Sequence, residues 1–191
     1  MRRLSPLESG TGPTIHHAGR EVILLSSNDY LGLATHPEVI RAAIHATEQY
    51  GAGSGASRLV SGTLPPHTHL ETSLATFKGT EAALLFGAGY LANIGIIPNL
   101  IGQGGLILAD RLCHASLIDG CRLSRADLRV FRHRDCAHLE SLLRRRSASR
   151  PTLIITEGLF SMDGDLAPLS DLASLAERYE APLYVDDAHG T

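Results

Sequence analysis

The sequence predicts an α/β fold in which helices flank a mostly parallel sheet. From about residue 82 onward, apolar runs of strand length alternate with helical segments, which is the order that builds parallel sheets. The strands are apolar throughout, as expected where helices cover both faces of a sheet. Glycines cluster at 51–55, 87–95 and 102–105. Such clusters indicate tight turns or a close approach of the backbone to a ligand.

The first fifty residues predict an N-terminal arm with little regular structure. Residues 1–20 carry prolines and glycines and are expected to be irregular. Glu21–Leu25 predicts a short strand, and Pro37–Tyr50 predicts a helix whose apolar residues recur on one face. We expect residues 1–50 to form this arm and residues 51–191 to form an incomplete major domain.

From residue 51 the predicted elements follow one another at short intervals. A loop rich in glycine and serine, 51–62, precedes a helix at Pro66–Lys78 that Gly79 ends. The predicted strands after it are Ala82–Phe86, Leu106–Asp110, Leu128–Phe131, Thr152–Thr156 and Pro182–Asp186. The predicted helices between them are Tyr90–Ile101, Ala115–Arg122, Cys136–Arg146 and Leu169–Tyr179.

Composition and charge argue against several classes of protein. A net charge of −3 gives no strong field for binding nucleic acid or an anionic membrane. The cluster 144–146 of three arginines is expected to be a solvated helix end. Cys113, Cys121 and Cys136 form no CxxC pair, which argues against a disulfide framework or a zinc ribbon and favours a reducing, cytoplasmic location. No apolar run is long enough to span a bilayer.

Four groups of residues follow predicted strands, where open parallel sheets bind ligands. They are Gly87–Tyr90, His114, Ser161 and Asp186–His189. The first group opens a helix, so its backbone N–H groups could face a phosphate. An NAD site is an alternative, because residues 87–92 match G-x-G-x-x-G/A and Asp110 ends the next strand. The third interpretation is a turn with a purely structural role.

The group at Asp186–His189 admits a more specific chemistry. The carboxylate of Asp186 could pair with a cationic ring nitrogen, and His189 could hydrogen-bond a phenolic oxygen. A metal site through Asp186, Asp187 and His189 and a solvated turn are the alternatives, and we expect no metal. His114 could stack on a flat aromatic ring or cap a helix, while Ser161 lies in a sequence typical of turns.

Six stretches of the sequence, in this order, resemble the α-oxoamine synthase family of fold-type I, class-II aminotransferase-like enzymes that use pyridoxal 5'-phosphate (PLP). The stretches are Ser-Asn-Asp-Tyr-Leu-Gly-Leu (27–33), Gly-Ser-Gly-Ala-Ser-Arg-Leu-Val-Ser-Gly-Thr (53–63), His-Leu-Glu (69–71), Asp-Arg-Leu-Cys-His-Ala-Ser (110–116), Thr-Glu-Gly-Leu-Phe-Ser-Met-Asp-Gly-Asp (156–165) and Val-Asp-Asp-Ala-His-Gly-Thr (185–191). The resemblance implies that 51–191 is part of a PLP-binding major domain and favours PLP over NAD.

The same resemblance implies roles for individual residues. The residues that it implies contact PLP are Gly89, Tyr90, His114, Ser161, Asp186 and His189. Among these, the resemblance gives catalytic roles to His114 on the ring, to Asp186 at its nitrogen and to His189 near its phenolic oxygen. It gives substrate contacts to Asn28 and Arg2.

The implied reaction is a decarboxylative condensation of an amino acid with an acyl thioester. The stretches are most similar to the branch of biotin biosynthesis, which implies alanine and either pimeloyl-CoA or the equivalent acyl-carrier protein. The glycine C-acetyltransferase, 5-aminolevulinate synthase and serine palmitoyltransferase branches share the scaffold. The family resemblance also implies a homodimer, with no nucleic-acid or membrane partner.

A PLP enzyme of this kind needs a Schiff-base lysine, which the resemblance places a few tens of residues beyond Asp186. The one lysine of the sequence, Lys78, precedes Gly79 at a helix end and is expected on the surface. We therefore expect an N-terminal fragment of such an enzyme. A non-catalytic truncated remnant is the alternative.

Overall fold

The computed structural model describes residues 4–10 and 12–191, and from Gly89 onward it follows the predicted order of alternating strands and helices. The helices are α1 (Pro37–Tyr50), α2 (Pro65–Lys78), α3 (Gly89–Leu100), α4 (Ala115–Ser124), α5 (Cys136–Arg144) and α6 (Leu169–Arg178). The strands are β1 (Thr14–His17), β2 (Arg20–Ile23), β3 (Leu106–Asp110), β4 (Asp127–Phe131), β5 (Thr152–Glu157) and β6 (Leu183–Asp186). Internal contacts divide the chain into two units, one up to Leu85 and one from Phe86 onward.

The first unit begins with a hairpin that the sequence did not predict. β1 pairs antiparallel with β2, and Ala18 and Gly19 between them have φ of 51° and 69°. Two consecutive residues of positive φ form the kind of turn whose twist matches that of a hairpin. The expectation that 1–20 is irregular was therefore wrong for β1, and the strand predicted at Glu21–Leu25 lies at Arg20–Ile23. The four residues of β1, TIHH, include a single apolar side chain, so they show no alternation that could be recognised.

The predicted strand Ala82–Phe86 was wrong. The segment has no regular secondary structure and belongs to no sheet. Its Leu85 N–H donates to Glu71 Oε1 over 2.8 Å, and its Leu85 carbonyl accepts from Arg58 Nη1 at 3.5 Å. Arg58 and Glu71 themselves form an ion pair at 2.7 Å. Side chains thus take up the backbone groups that a neighbouring strand would otherwise have bonded.

The second unit contains a four-stranded parallel sheet in the order β4-β3-β5-β6. Asp110 at the end of β3 pairs with Phe131, and Glu157 at the end of β5 pairs with Asp186. Since all four strands run the same way, these carboxyl ends lie along one edge of the sheet. The predicted mostly parallel sheet is confirmed.

Helices cover both faces of this sheet. Along β3, Leu106 and Leu108 point to one face and Ile107 and Ala109 to the other, because successive side chains of a strand alternate. One face packs against α5 and α6 through Leu139, Leu143, Leu172 and Leu175. The other packs against α3 and α4 through Ile97, Ile101, Leu117 and Cys121. Each fully buried Leu or Ile stabilises the fold by roughly 1.5–3 kcal/mol.

Gly120 lets α3 and α4 approach closely. A Cβ on Gly120 would lie 2.8 Å from the carbonyl oxygen of Asn93 and 2.9 Å from Cδ1 of Ile97. Both atoms belong to α3, so any side chain here would push the helices apart. The middle of α3 therefore packs directly against the middle of α4. Across the two ranges that the structure covers, no helix has both the length and the apolar character needed to cross a membrane.

Candidate active site

A cavity of about 130 Å³ lies at the carboxyl edge of the sheet, in the second unit. Residues from the starts of α3 and α4 and from the ends of β5 and β6 line it. They are Gly89, Tyr90, Asn93, His114, Ser116, Glu157, Ser161, Asp186, Ala188 and His189. All six residues predicted to contact PLP therefore line one cavity.

The first turn of α3 leaves backbone donors available at this cavity. Ala88 precedes the helix in an extended conformation, and no side chain caps the helix start. A Cβ on Gly89 would meet no atom within 4 Å, so there is open space beside the backbone. Uncapped N–H groups and the positive end of the helix dipole together favour an anion. Tyr90 is tied to α4 by a hydrogen bond of 3.1 Å from its hydroxyl to Asp119.

Asn93 is buried and joins three of the elements around the cavity. Its side-chain nitrogen donates to Asp186 Oδ2 at 2.8 Å and to Ser116 Oγ at 2.9 Å. Its side-chain oxygen accepts from the hydroxyl of Tyr184, also at 2.8 Å. The amide has therefore used both donors and its acceptor, which fixes its orientation. The carboxylate of Asp186 also accepts from the backbone N–H of Ala188 at 3.1 Å.

His114 caps α4 and also faces the cavity. Its Nδ1 accepts from the backbone N–H of Ser116 at 3.2 Å and lies 2.7 Å from Ser116 Oγ. Since Nδ1 is an acceptor here, the ring proton of neutral His114 belongs on Nε2. The His114 side chain therefore both caps α4 and forms part of the cavity wall.

Glu157 is a buried carboxylic acid at the end of β5. It accepts from the backbone N–H of His114 and also from that of Ser161. Burial raises the pKa of Glu157, the His114 N–H opposes this change, and the charge of the neighbouring Asp186 adds to it. Glu157 thereby connects β5 to the start of α4 and to the loop that carries Ser161.

Two glycines enclose Asp187 next to the cavity. A Cβ on Gly158 or on Gly190 would overlap the Asp187 carboxylate at distances that real Cβ atoms do not adopt. Asp187 also accepts from the Thr191 hydroxyl at 2.8 Å. The chain after β5 and the chain after β6 therefore meet around one carboxylate.

The NAD alternative does not fit the position of Asp110. This side chain is 1% exposed. Its Oδ1 accepts from Leu112 N–H and contacts His133, while its Oδ2 accepts from Arg134 N–H. A ribose hydroxyl therefore cannot reach it. Within residues 4–10 and 12–191, no three His, Cys, Asp or Glu side chains come together as a metal site.

The sequence also singled out Asn28, Arg2 and Lys78. Asn28 is an exposed residue of the first unit, where it accepts from the Tyr30 hydroxyl at 3.4 Å, and its contact with substrate stays a prediction. Arg2 lies outside the described residues. Lys78 is exposed at the end of α2, as expected.

Sequence reasoning missed Asn93, Ser116 and Glu157 as site residues. Glu157 was detectable in principle, because it is an acidic residue that directly follows an apolar strand. Asn93 was not, since one polar residue in an apolar helix does not reveal which strand end it faces.

Comparisons with known proteins agree on one family. The class I and II aminotransferase family matches residues 20–191. The 8-amino-7-oxononanoate synthases of Geobacter sulfurreducens and Chromobacterium violaceum are 56% and 54% identical, and each alignment covers 100% of this chain and 49% of the relative. The chain thus spans about half the length of the curated relatives it matches.

Solved structures give the same result. Serine palmitoyltransferase from S. paucimobilis, with PLP and myriocin bound, matches with a TM-score of 0.93 and 36% identity, over 96% of this chain and 46% of that one. The 8-amino-7-oxononanoate synthase of Francisella tularensis matches with a TM-score of 0.69 and 30% identity, over 85% and 44% of the two chains.

Proposed function

The chain belongs to the class I and II aminotransferase family, among its α-oxoamine synthases, and from this premise we propose that it is the cofactor-binding part of an 8-amino-7-oxononanoate synthase. The reaction joins L-alanine to a pimeloyl thioester, carried by CoA or by an acyl-carrier protein, with loss of CO₂. The observation that carries the proposal is the cavity that gathers Asp186, His114 and the uncapped start of α3. The Schiff-base lysine is proposed to lie outside these 191 residues.

The residues around the cavity fit PLP in three separate ways. The open backbone at Gly89 suits a phosphate group. The carboxylate of Asp186, held by Asn93 and by the Ala188 N–H, suits a protonated ring nitrogen. The exposed ring of His114 is fixed by its bonds to Ser116 and offers a flat face.

PLP, when bound, supplies an electron-withdrawing ring that stabilises negative charge on the α-carbon of an amino acid. In this proposal Asp186 keeps the proton on the ring nitrogen, which maintains that electron withdrawal. His114 orients the ring by stacking, and Ser161 and His189 donate near the phenolic oxygen. Asn93 holds the Asp186 carboxylate in one orientation.

The identity of more than half to curated 8-amino-7-oxononanoate synthases supports the biotin branch. Identity is 56% to an 8-amino-7-oxononanoate synthase and 36% to a serine palmitoyltransferase, each over nearly the whole of this chain. The high TM-score of the latter keeps a serine palmitoyltransferase-type enzyme as the second candidate. Comparing turnover of alanine with pimeloyl-CoA against serine with palmitoyl-CoA, in the complete gene product, separates the two.

Cofactor binding tests the first step of the proposal. PLP is titrated into the protein and binding is followed through the absorbance of the cofactor. We expect Asp186→Asn to weaken binding about tenfold or more, because the neutral amide no longer favours the protonated ring. Asp171→Asn, an exposed change on α6, serves as the control and should bind as the wild type does. Equal affinity of the Asp186→Asn variant and the wild type would contradict the proposal.

A further inference from the structure

A short hairpin positions Ser161 in the cavity wall. Residues 158–167, named here the Ser161 hairpin, follow β5 and fold back on themselves through an antiparallel bridge. The N–H of Phe160 donates to the Asp165 carbonyl at 3.0 Å, which closes the turn that holds Ser161. Glu157 holds the cavity side of this hairpin through the Ser161 N–H. Its other side depends on a histidine from beyond β4.

That histidine, His133, lies between two carboxylates. Its Nδ1 is 2.8 Å from Asp110 Oδ1, and its Nε2 is 3.1 Å from Asp165 Oδ2. An ionised carboxylate only accepts hydrogen bonds, so each ring nitrogen needs a proton to bond its partner. A neutral imidazole carries one ring proton and can satisfy one carboxylate. The geometry therefore corresponds to the doubly protonated, cationic ring.

The charges around His133 support the same protonation state. Burial lowers the pKa of His133, but hydrogen bonds and electrostatic attraction from Asp110 and Asp165 outweigh burial and raise it above 6.5. Conversely, the hydrogen bond from His133 is the main cause that lowers the pKa of Asp165. The other charged group here is Arg134, whose guanidinium lies 2.8 Å from Asp165 Oδ2. Phe160 packs edge-on against the His133 ring, with centroids 4.5 Å apart.

Asp165 has few alternatives to this contact. Its Oδ1 is enclosed, and within the described part of the chain it accepts no hydrogen bond. Its Oδ2 is shared between His133 and Arg134. Loss of the proton on His133 Nε2 would place an unprotonated ring nitrogen against a carboxylate, and two acceptors at that distance repel each other. The hairpin would then be held on this side by the more exposed Arg134.

We propose that cationic His133 is a positioning residue that ties the Ser161 hairpin to the carboxyl ends of β3 and β4, so that the cavity binds PLP well only while His133 is protonated. The second half of this statement rests on the proposed function; the first half does not. His133 does not line the cavity and acts through the hairpin.

The direction of the pH effect follows from the raised pKa. A group whose pKa is higher in the folded protein than in the unfolded chain stabilises the fold. For His133 this stabilisation is fully present at pH values below the ordinary histidine pKa of 6.5. That stabilisation is lost as the pH rises through the folded-state pKa. Order in the hairpin, and with it PLP affinity, should therefore decline on the alkaline side.

Hydrogen exchange of the ligand-free protein tests the tie itself. Protection of the amides in 158–167, corrected for the intrinsic effect of pH, is measured from about pH 6 to about pH 9. We expect wild-type protection to fall as pH rises, and His133→Gln to show low protection throughout. His45→Gln, an exposed change on α1, should behave as the wild type. Protection that does not vary with pH in the wild type would overturn the proposal.

Asp165→Asn separates charge from simple packing. The amide can donate to a neutral His133 Nε2, so this variant should keep the hairpin protected while losing its pH dependence. A wild-type pH dependence in Asp165→Asn would also overturn the proposal.

PLP affinity over the same pH range tests the link to the cavity. We expect the wild-type Kd to rise about fivefold or more from the acidic to the alkaline end. The phosphate and ring nitrogen of PLP titrate in the same range in every variant, so Asp165→Asn should keep only that shared part of the pH dependence and show a rise in Kd at least severalfold smaller than the wild type. If the protein binds no PLP at any pH, the proposed function fails while the exchange measurements still decide the role of His133. Identical profiles for the wild type and Asp165→Asn, with normal affinity, would reject the link alone.

Discussion

Asn93 is the residue through which the candidate site holds two of its predicted contacts in place. One amide nitrogen bonds both Asp186 and Ser116, and Ser116 in turn bonds His114. Neither contact could be inferred from sequence, since Asn93 and Asp186 are 93 positions apart. The six residues predicted to contact PLP, which line one cavity, were singled out because each follows a predicted strand or lies in a recognisable motif. Asn93, which connects them, follows no predicted strand and lies in no recognisable motif.

Replacing Asn93 with leucine should lower both stability and PLP affinity. The change leaves Asp186, Ser116 and Tyr184 without their shared partner in a buried place, which costs about 1–3 kcal/mol of unfolding free energy. Urea denaturation measures the stability, and PLP titration the affinity. Asn99→Ala, on the exposed side of α3, should change stability by less than about 0.5 kcal/mol. An unchanged PLP affinity in Asn93→Leu would show that Asp186 does not depend on this bond.

Glu71 should make the first unit sensitive to acid. The hydrogen bond from Arg58, helped by the Leu85 N–H, lowers the pKa of Glu71 from 4.5 to about 2. The lowered pKa stabilises the fold above pH 4.5, and this stabilisation is lost as the pH falls toward 2. We expect the wild-type unfolding free energy to decline over that interval more steeply than that of Glu71→Gln. Glu48→Gln, exposed on α1, should retain the steep decline.

At the scale of elements, the close contact of α3 and α4 depends on one missing side chain. Gly120→Ala would place a methyl group against Asn93 and Ile97, and overpacking of this kind costs typically 1–3 kcal/mol. Because Asn93 must move with α3, PLP affinity should fall as well. Gly102→Ala, where a Cβ meets nothing within 4 Å, is the matched control. Thermal denaturation of both variants without PLP measures the loss of stability. The additional rise in Tm when PLP is present measures the loss of PLP affinity.

The elements that the sequence predicted well are those whose hydrophobic pattern is decided locally. β3 matches its predicted bounds, and β5 and α4 differ only at their ends, because buried strands and amphipathic helices leave a strong periodic signal. The segment 82–86 has the same apolar character as those strands. Whether such a segment joins a sheet depends on partners far along the chain, and here Arg58 and Glu71 bond Leu85 instead. The sequence of 82–86 alone does not show that its backbone bonds these side chains and not a neighbouring strand.

At the scale of the whole molecule, PLP should stabilise the second unit selectively. Every residue that lines the cavity belongs to the unit from Phe86 onward. A ligand at one hundred times its Kd adds about 2.7 kcal/mol to the stability of the state that binds it. We expect PLP to slow hydrogen exchange in β3, β5 and β6 while leaving α1 and α2 unchanged. Equal protection of both units would contradict a site confined to the second one.

Gly158 and Gly190 lie against Asp187, and this contact limits the residues that positions 158 and 190 can accept. The two glycines come from separate loops, and each leaves the space that the same carboxylate fills. A side chain at either position would require the Asp187 carboxylate to move away from its present place, where it accepts from the Thr191 hydroxyl. In a saturation library selected for retained PLP binding, positions 158 and 190 should therefore accept fewer replacements than position 102. Gly102, which has open space around it, should accept many.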